Sequence, residues 1–345
     1  MIEQREQEEN NNFDKDVVVV VEGDNSNNEE DNKDIGIGSG GPHIDEKANE
    51  SHIFKEGHCE VSHNRGSVVK LYYQLHGRGN TKVLMIMGFL TSCEAWKHQL
   101  EYFNQFPEQY QICIFDNRGI GKSDTPNYNY SSNHMARDGL ELMDHLGWQQ
   151  AHIVGVSMGG MIALELATSA HARVSTLSLC VTHAGGFGRI PPILGMLKML
   201  RSFTIKDHRE RGRVLMPILY SENYLKKLDE NGQPILESLL DSYVEDVSKM
   251  TLPKPAAVAG HIKTVTTHHI TDSRLRELKE KTNIPILVMC GDIDHLVRTS
   301  NSFLLRDILS PAEFIQFDSG HCINVEHKQE FNEALARNFK RYTPQ

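Results

Sequence analysis

Hydrophobic and polar positions along this chain fall into two textures that meet near residue 56. Residues 1–55 are dominated by Asn, Glu, Asp and Gly, with one apolar island at Val17–Val21. From Gly57 onward short apolar runs recur at 58–63, 67–75, 82–87, 111–115, 151–156, 176–181, 285–290 and 313–317. After residue 82 most of them are unbroken rather than alternating, the pattern of parallel strands covered on both faces. Between them lie helix-forming stretches at 94–106, 132–146, 158–169, 298–309 and 326–339. This alternation predicts an α/β fold: a doubly wound, mostly parallel eight-stranded sheet with helices on both faces. The first three runs have little chain between them and are expected to form an antiparallel lead-in.

One interval breaks the rhythm. About 100 residues, 184–283, separate the strand at 176–181 from that at 285–290, far more than a crossover connection needs. Helical spacing within it (Ile193, Leu194, Leu197, Leu200; Tyr224, Leu225, Leu228; Ile235, Leu239, Leu240, Val244) predicts a helical cap, or lid, inserted over the sheet. The core is then 56–183 plus 284–345, and residues 1–55 form a disordered acidic, Asn-rich tail that lacks the apolar area to offset its chain entropy. The apolar stretch 190–203 reads as a lid helix facing a pocket, with an interfacial membrane helix as the alternative. The valine island reads as a weak sticky spot, although it has the makings of a strand. Gly36–Gly41 looks like a phosphate loop but follows no strand and opens no helix, so the dinucleotide reading fails.

Charge sharpens the division. The chain carries 36 basic and 46 acidic residues, net −10. Residues 1–50 hold 15 acidic and 4 basic groups, so the remainder is nearly neutral. That speaks against a nucleic-acid partner or an anionic membrane surface. Six cysteines are scattered without a C-x-x-C pair, which suits small buried hydrophobes in a reducing compartment. With an acidic N-terminus and no apolar run of membrane-spanning length, a cytoplasmic protein without stable membrane insertion is expected. Its oligomeric state is not legible.

The candidate chemistry begins at Gly155-Val156-Ser157-Met158-Gly159. G-x-S-x-G arises by chance in roughly one chain of this length in eight, so its setting carries the weight: an apolar strand before it and a helix-forming run after it. That is the context of a nucleophile elbow, in which a serine on a strained turn projects above the sheet. Such a serine needs a base oriented by an acid, each placed just past a later strand. His321 follows 313–317 in Asp318-Ser319-Gly320-His321 and is the candidate base. Gly291-Asp292-Ile293-Asp294 follows 285–290, with Asp294 the candidate acid and Asp292 in reserve. Two backbone N–H groups must receive the oxyanion. Met158, after the serine, and Phe89, in the turn Met87-Gly88-Phe89, are the candidates. The cap histidines His261, His268 and His269 lack carboxylates at ligand spacing and read as solvated, so no metal is expected, and no cofactor either.

The stretches MGFLTSCEAW, FDNRGIGKSD, HIVGVSMGGMIALELA, VMCGDIDHLV and FDSGHCINVE, taken together and in order, resemble the α/β-hydrolase superfamily, in particular small soluble serine hydrolases with a helical cap. The resemblance covers nearly everything from residue 57 onward. It implies Ser157 as nucleophile, Asp294 as acid, His321 as base, and Phe89 and Met158 as oxyanion donors. The family's G-x-x-D acid loop matches Gly291 to Asp294, and Arg118 matches a structural loop as a buried ion-pair partner. Met87-Gly88 stands where many members have His-Gly. Epoxide hydrolases and haloalkane dehalogenases of this fold use an Asp nucleophile, against which the serine argues. The implied activity is hydrolysis of an ester-type bond, carboxylic ester or thioester, in a small to medium apolar acyl substrate, by way of an acyl-enzyme. C–C bond hydrolysis, lyase or acyltransferase chemistry, and a low-turnover ligand receptor are the alternatives.

Overall fold

A computed structural model describes residues 18–21, 53–186, 192–249 and 252–343. Its strands are β1 (Val18–Val21), β2 (Ile53–Val61), β3 (Val69–His76), β4 (Thr81–Ile86), β5 (Tyr110–Phe115), β6 (Ala151–Val156), β7 (Val174–Cys180), β8 (Ile286–Gly291) and β9 (Glu313–Phe317). Among the described residues these nine form one sheet in the order β1-β9-β8-β7-β6-β4-β5-β3-β2. The eight expected strands are all present, and the valine island supplies a ninth, paired parallel to β9 at the edge. The rest of the acidic tail up to residue 52, including the glycine-rich 36–41, lies outside the described residues; β2 begins at Ile53, inside the span assigned to the tail.

The lead-in differs from expectation in one respect. β2 pairs antiparallel with β3, and β3 antiparallel with β5. The third run, β4, lies one strand further in and is parallel to both β5 and β6. Short connections alone suggested a meander, but a strand as apolar as KVLMIM gains more by being covered on both sides at the sheet centre.

Unbroken apolar strands serve two cores at once because successive side chains point to opposite faces. Leu84, Ile86, Cys113, Phe115 and Ile153 enter one core, and Val83, Met85, Ile112, Ile114 and Val154 the other. Helix α1 (Lys97–Phe103) contributes Leu100 and Phe103 to the second core. Helices α2 (Ser132–His145) and α3 (Met158–Ser169) cover the first face.

Between β7 and β8 come α4 (Ile193–Ser202), α5 (His208–Leu219), α6 (Glu222–Lys226), α7 (Ile235–Lys249), α8 (Pro255–Thr267) and α9 (Asp272–Lys281). Met216, Leu225 and Leu240 give α5, α6 and α7 a small core of their own, while α9 returns to the sheet through Leu275 and Leu278. Helix α4 reverses the expectation of a lid helix facing a pocket. Its buried positions are Gly195 and Ser202, and Ile193, Leu194 and Leu197 are 60%, 65% and 54% exposed. Helix α10 (Thr299–Leu309) connects β8 to β9, and α11 (Ile323–Glu326) and α12 (Lys328–Lys340) follow β9. Among the described residues no helix is long and apolar enough to cross a membrane.

Candidate active site

Ser157 occupies the single residue between β6 and α3, with φ 56° and ψ −119°. A side chain at such positive φ is strained, and close packing on every side holds the turn. Ser157 N–H donates to the Cys180 carbonyl at 2.9 Å, and the Ser157 carbonyl accepts from Gly160 N–H at 2.9 Å. Thr182 Oγ1 donates to that same carbonyl at 2.8 Å. The glycines around the serine are places where two backbones meet. A Cβ on Gly155 would lie 2.3 Å from the Gly159 carbonyl oxygen, and one on Gly159 would lie 2.0 Å from that of Ile86. Gly160, the last glycine of the run, has Thr182 Cβ at 2.5 Å from the same virtual position.

Asp294 follows β8 and His321 follows β9, so the two side chains arrive from adjacent parallel strands. His321 Nδ1 lies 2.7 Å from Asp294 Oδ2, and both residues are buried. An ionised carboxylate only accepts, so Nδ1 carries a proton, and in the neutral imidazole Nε2 keeps the lone pair. The other Asp294 oxygen accepts from the N–H groups of Leu296, at 2.7 Å, and Val297, at 2.9 Å, which fixes the carboxylate plane. Asp292 accepts Ser319 N–H at 3.2 Å. Its carboxyl is pushed above the ordinary range by burial and then by neighbouring Asp318. The structure therefore brings His321 to Asp294 and leaves Asp292 as a tie between the two loops.

Sequence reasoning missed Glu326. Its carboxylate accepts the N–H and O–H of Ser221 and, at 2.9 Å, the N–H of Gly320, directly before His321. Burial raises its pKa. Together with a bond from Cys322 N–H to the Leu219 carbonyl at 2.9 Å, it fastens the histidine loop to the inserted helices.

Met158 follows Ser157 in the chain, and Phe89 follows Gly88, which packs against the serine. Gly88, at the end of β4, packs so closely that a Cβ there would lie 3.2 Å from Ser157 Cβ. Met158 is fully buried, and as the first residue of α3 its N–H has no acceptor within the helix. The turn holding Phe89 is clamped at both ends. Asn117 Nδ2 donates to the Met87 carbonyl at 2.9 Å, and His261 Nδ1 accepts Leu90 N–H at 3.2 Å. His261 Nε2–H then donates to the Arg118 carbonyl at 2.9 Å. Two backbone partners of opposite kind require a neutral imidazole with its proton on Nε2.

His261 and His268 are thus not solvated, as their place in a polar insertion suggested. Both are buried, with desolvation pulling their pKa values down to about 4 and about 3; His269 alone of the three is exposed. The sequence offered no signal for His261, whose partners are 171 and 143 residues away. Arg118 is a buried ion-pair partner: it grips both oxygens of Asp138 at 2.7 Å, and Arg65 binds the same carboxylate at 2.8 Å.

A family model described as the alpha/beta hydrolase fold matches residues 81–328. Among curated proteins, the chain is 24% identical to 3-oxoadipate enol-lactonase 2 of Acinetobacter baylyi, over 79% of this chain and 94% of that one. It is 27% identical to a 2-hydroxy-6-oxononadienedioate/2-hydroxy-6-oxononatrienedioate hydrolase of Paraburkholderia phymatum, over 78% and 91% respectively. Among solved structures, it superposes on a thermophilic esterase from Thermogutta terrifontis with a TM-score of 0.66, at 20% identity, covering 84% of this chain and all of that one.

Proposed function

The chain belongs to the alpha/beta hydrolase fold family, and we propose that it hydrolyses an ester-type bond, carboxylic ester or thioester, of a small to medium apolar substrate through an acyl-enzyme on Ser157. The observation that carries this reading is the buried His321–Asp294 pair at 2.7 Å, on the same carboxyl edge of the sheet as a serine held in a strained turn. With Nδ1 committed to Asp294, His321 Nε2 is the basic nitrogen available to take the Ser157 proton as Oγ attacks the carbonyl carbon. Negative charge then developing on the carbonyl oxygen is received by the N–H groups of Phe89 and Met158, the latter at the positive end of α3. His321 returns its proton to the leaving group, and in a second round deprotonates the water that attacks the acyl-enzyme. Water suffices as acceptor, so the mechanism asks for neither metal nor organic cofactor.

A second reading is favoured by the likeness to the Paraburkholderia enzyme: the same residues hydrolysing a 2-hydroxy-6-oxo acid. One experiment tests the shared chemistry. A fluorophosphonate probe should label the native protein and leave Ser157→Ala unlabelled. Absence of labelling in folded native protein overturns both readings. A series of aryl esters of increasing acyl length, run beside a 2-hydroxy-6-oxo acid, then separates them.

A further inference from the structure

Helix α4 inverts the arrangement expected of a surface helix. Amphipathic helices turn large apolar residues inward and polar ones outward. Here the small residues Gly195 and Ser202 face the protein, and Gly195 sits so close to the His295 carbonyl that a Cβ would lie 1.8 Å from its oxygen. The large apolar residues face solvent instead: Ile193, Leu194, Met196, Leu197, Leu200 and Phe203 are each at least 39% exposed. Their spacing of three and four puts them on one continuous side of the helix. Six of the thirteen large hydrophobic residues exposed among the described residues fall within this one segment.

Charge on the segment itself has one sign, with exposed Asp207 and Glu210 beginning the next helix. Residues 192–206 contain Lys198, Arg201 and Lys206 and not one Asp or Glu, although the chain as a whole is acidic. A short helix with an exposed apolar stripe and only cationic charge within it has the composition that adsorbs in the plane of an anionic lipid surface. It is far too short to span one. We propose that α4 is an interfacial helix that seats this protein reversibly on anionic lipid surfaces, with the Asp294–His295 loop directly behind it. The near-neutral charge of the globular part conceals this, because the cations of α4 are balanced by acidic groups elsewhere in the chain.

Co-flotation of the full chain with vesicles tests the proposal, using phosphatidylcholine alone and phosphatidylcholine mixed with phosphatidylserine. The native protein should float with the mixed vesicles and much less with the neutral ones. Replacing two cations, in Lys198→Gln/Arg201→Gln, should weaken binding to mixed vesicles about thirtyfold. Leu194→Ser/Leu197→Ser should weaken it about a hundredfold. Leu194, Leu197 and Arg201 are exposed and Lys198 is half-buried, and none of them belongs to the proposed site, so the variants keep native circular dichroism and activity on water-soluble esters. Ser157→Ala should float as the native protein does, which keeps this result separate from the proposed hydrolysis. Failure to bind mixed vesicles overturns the proposal, as does equal binding to both vesicle types. A concentration-dependent dimer abolished by Leu194→Ser/Leu197→Ser would assign the face to a second copy of the chain and overturn it as well.

Discussion

Two aspartates separated by one residue offer a sharp test of the proposed site, because geometry assigns them opposite consequences. In Asp294→Asn the surviving oxygen can still accept Leu296 and Val297 N–H, so the loop keeps its shape. The new amide nitrogen then faces His321 Nδ1 and must donate, which forces the imidazole proton onto Nε2 and removes the base. The imidazolium formed during proton transfer also loses its counter-charge. At roughly 4 Å between charge centres and an effective dielectric of about 20, that loss is worth about 4 kcal/mol, or about a thousandfold in rate. Asp292→Asn exchanges one long hydrogen bond, 3.2 Å from Ser319 N–H, for another of the same kind, a change of under about 1 kcal/mol and less than about fivefold. The assay is kcat/KM on an activated aryl ester, with circular dichroism to verify folding. If Asp294→Asn stays within about tenfold of native, or Asp292→Asn falls as far as Asp294→Asn, the assignment of the acid is wrong.

Other predictions test how the site is held. Gly159→Ala places a methyl group 2.0 Å from the Ile86 carbonyl oxygen, so β4 and α3 must separate; about 2–4 kcal/mol of stability should go. Gly139→Ala has the opposite sign: its Cβ meets only Leu84 and Leu166 methyls, each at 3.6 Å, and removal of a helical glycine should gain about 0.5–1 kcal/mol; urea titration of both variants beside the native protein measures the two changes. Asp138→Ala strands the buried Arg118 guanidinium and should cost about 3–5 kcal/mol; a loss below about 1 kcal/mol would contradict the burial of that pair. His152 and His261 have pKa values lowered to about 4, and His268 to about 3, all by burial. Between those values and the ordinary imidazole value near 6.5 the unfolded chain binds more protons, so stability rises with pH and is lost as pH falls. Each should withdraw on the order of 3 kcal/mol by about pH 4, and a Tm that stays flat on acidification would speak against their burial.

What the sequence disclosed follows from how local each signal is. β4, β6 and β8 announced themselves because strands buried on both faces need no polar residues, and α3 because its start is fixed by the strained serine before it. Asp294 and His321 were legible as positions after late strands, since the carboxyl edge of a parallel sheet is where such loops gather. The long insertion was visible mainly as an interval. Helix α9 (DSRLRELKEK) is almost wholly polar, and α5 carries Pro217 within its last turn; both depend on contacts with distant chain. His261 and Glu326 lay beyond reach for the same reason. What distinguishes His261 from the other histidines is a pair of backbone groups on two remote loops. The acceptor role of Glu326 exists only once Ser221 and Gly320 have been brought together. The outward-facing stripe of α4 had a misleading pattern, because periodicity locates an apolar face without saying which way it turns.

The backbone at Ser157 sets stability against the proposed chemistry. At φ 56°, ψ −119° a glycine would be at ease, and carrying a β-carbon there costs on the order of 1 kcal/mol even after the greater flexibility of unfolded glycine is allowed for. Stability alone therefore favours Ser157→Gly, which should melt higher and, on the proposed mechanism, be inert. On the proposed mechanism, the hydroxyl's chemistry is what this strained position returns for the stability it gives up.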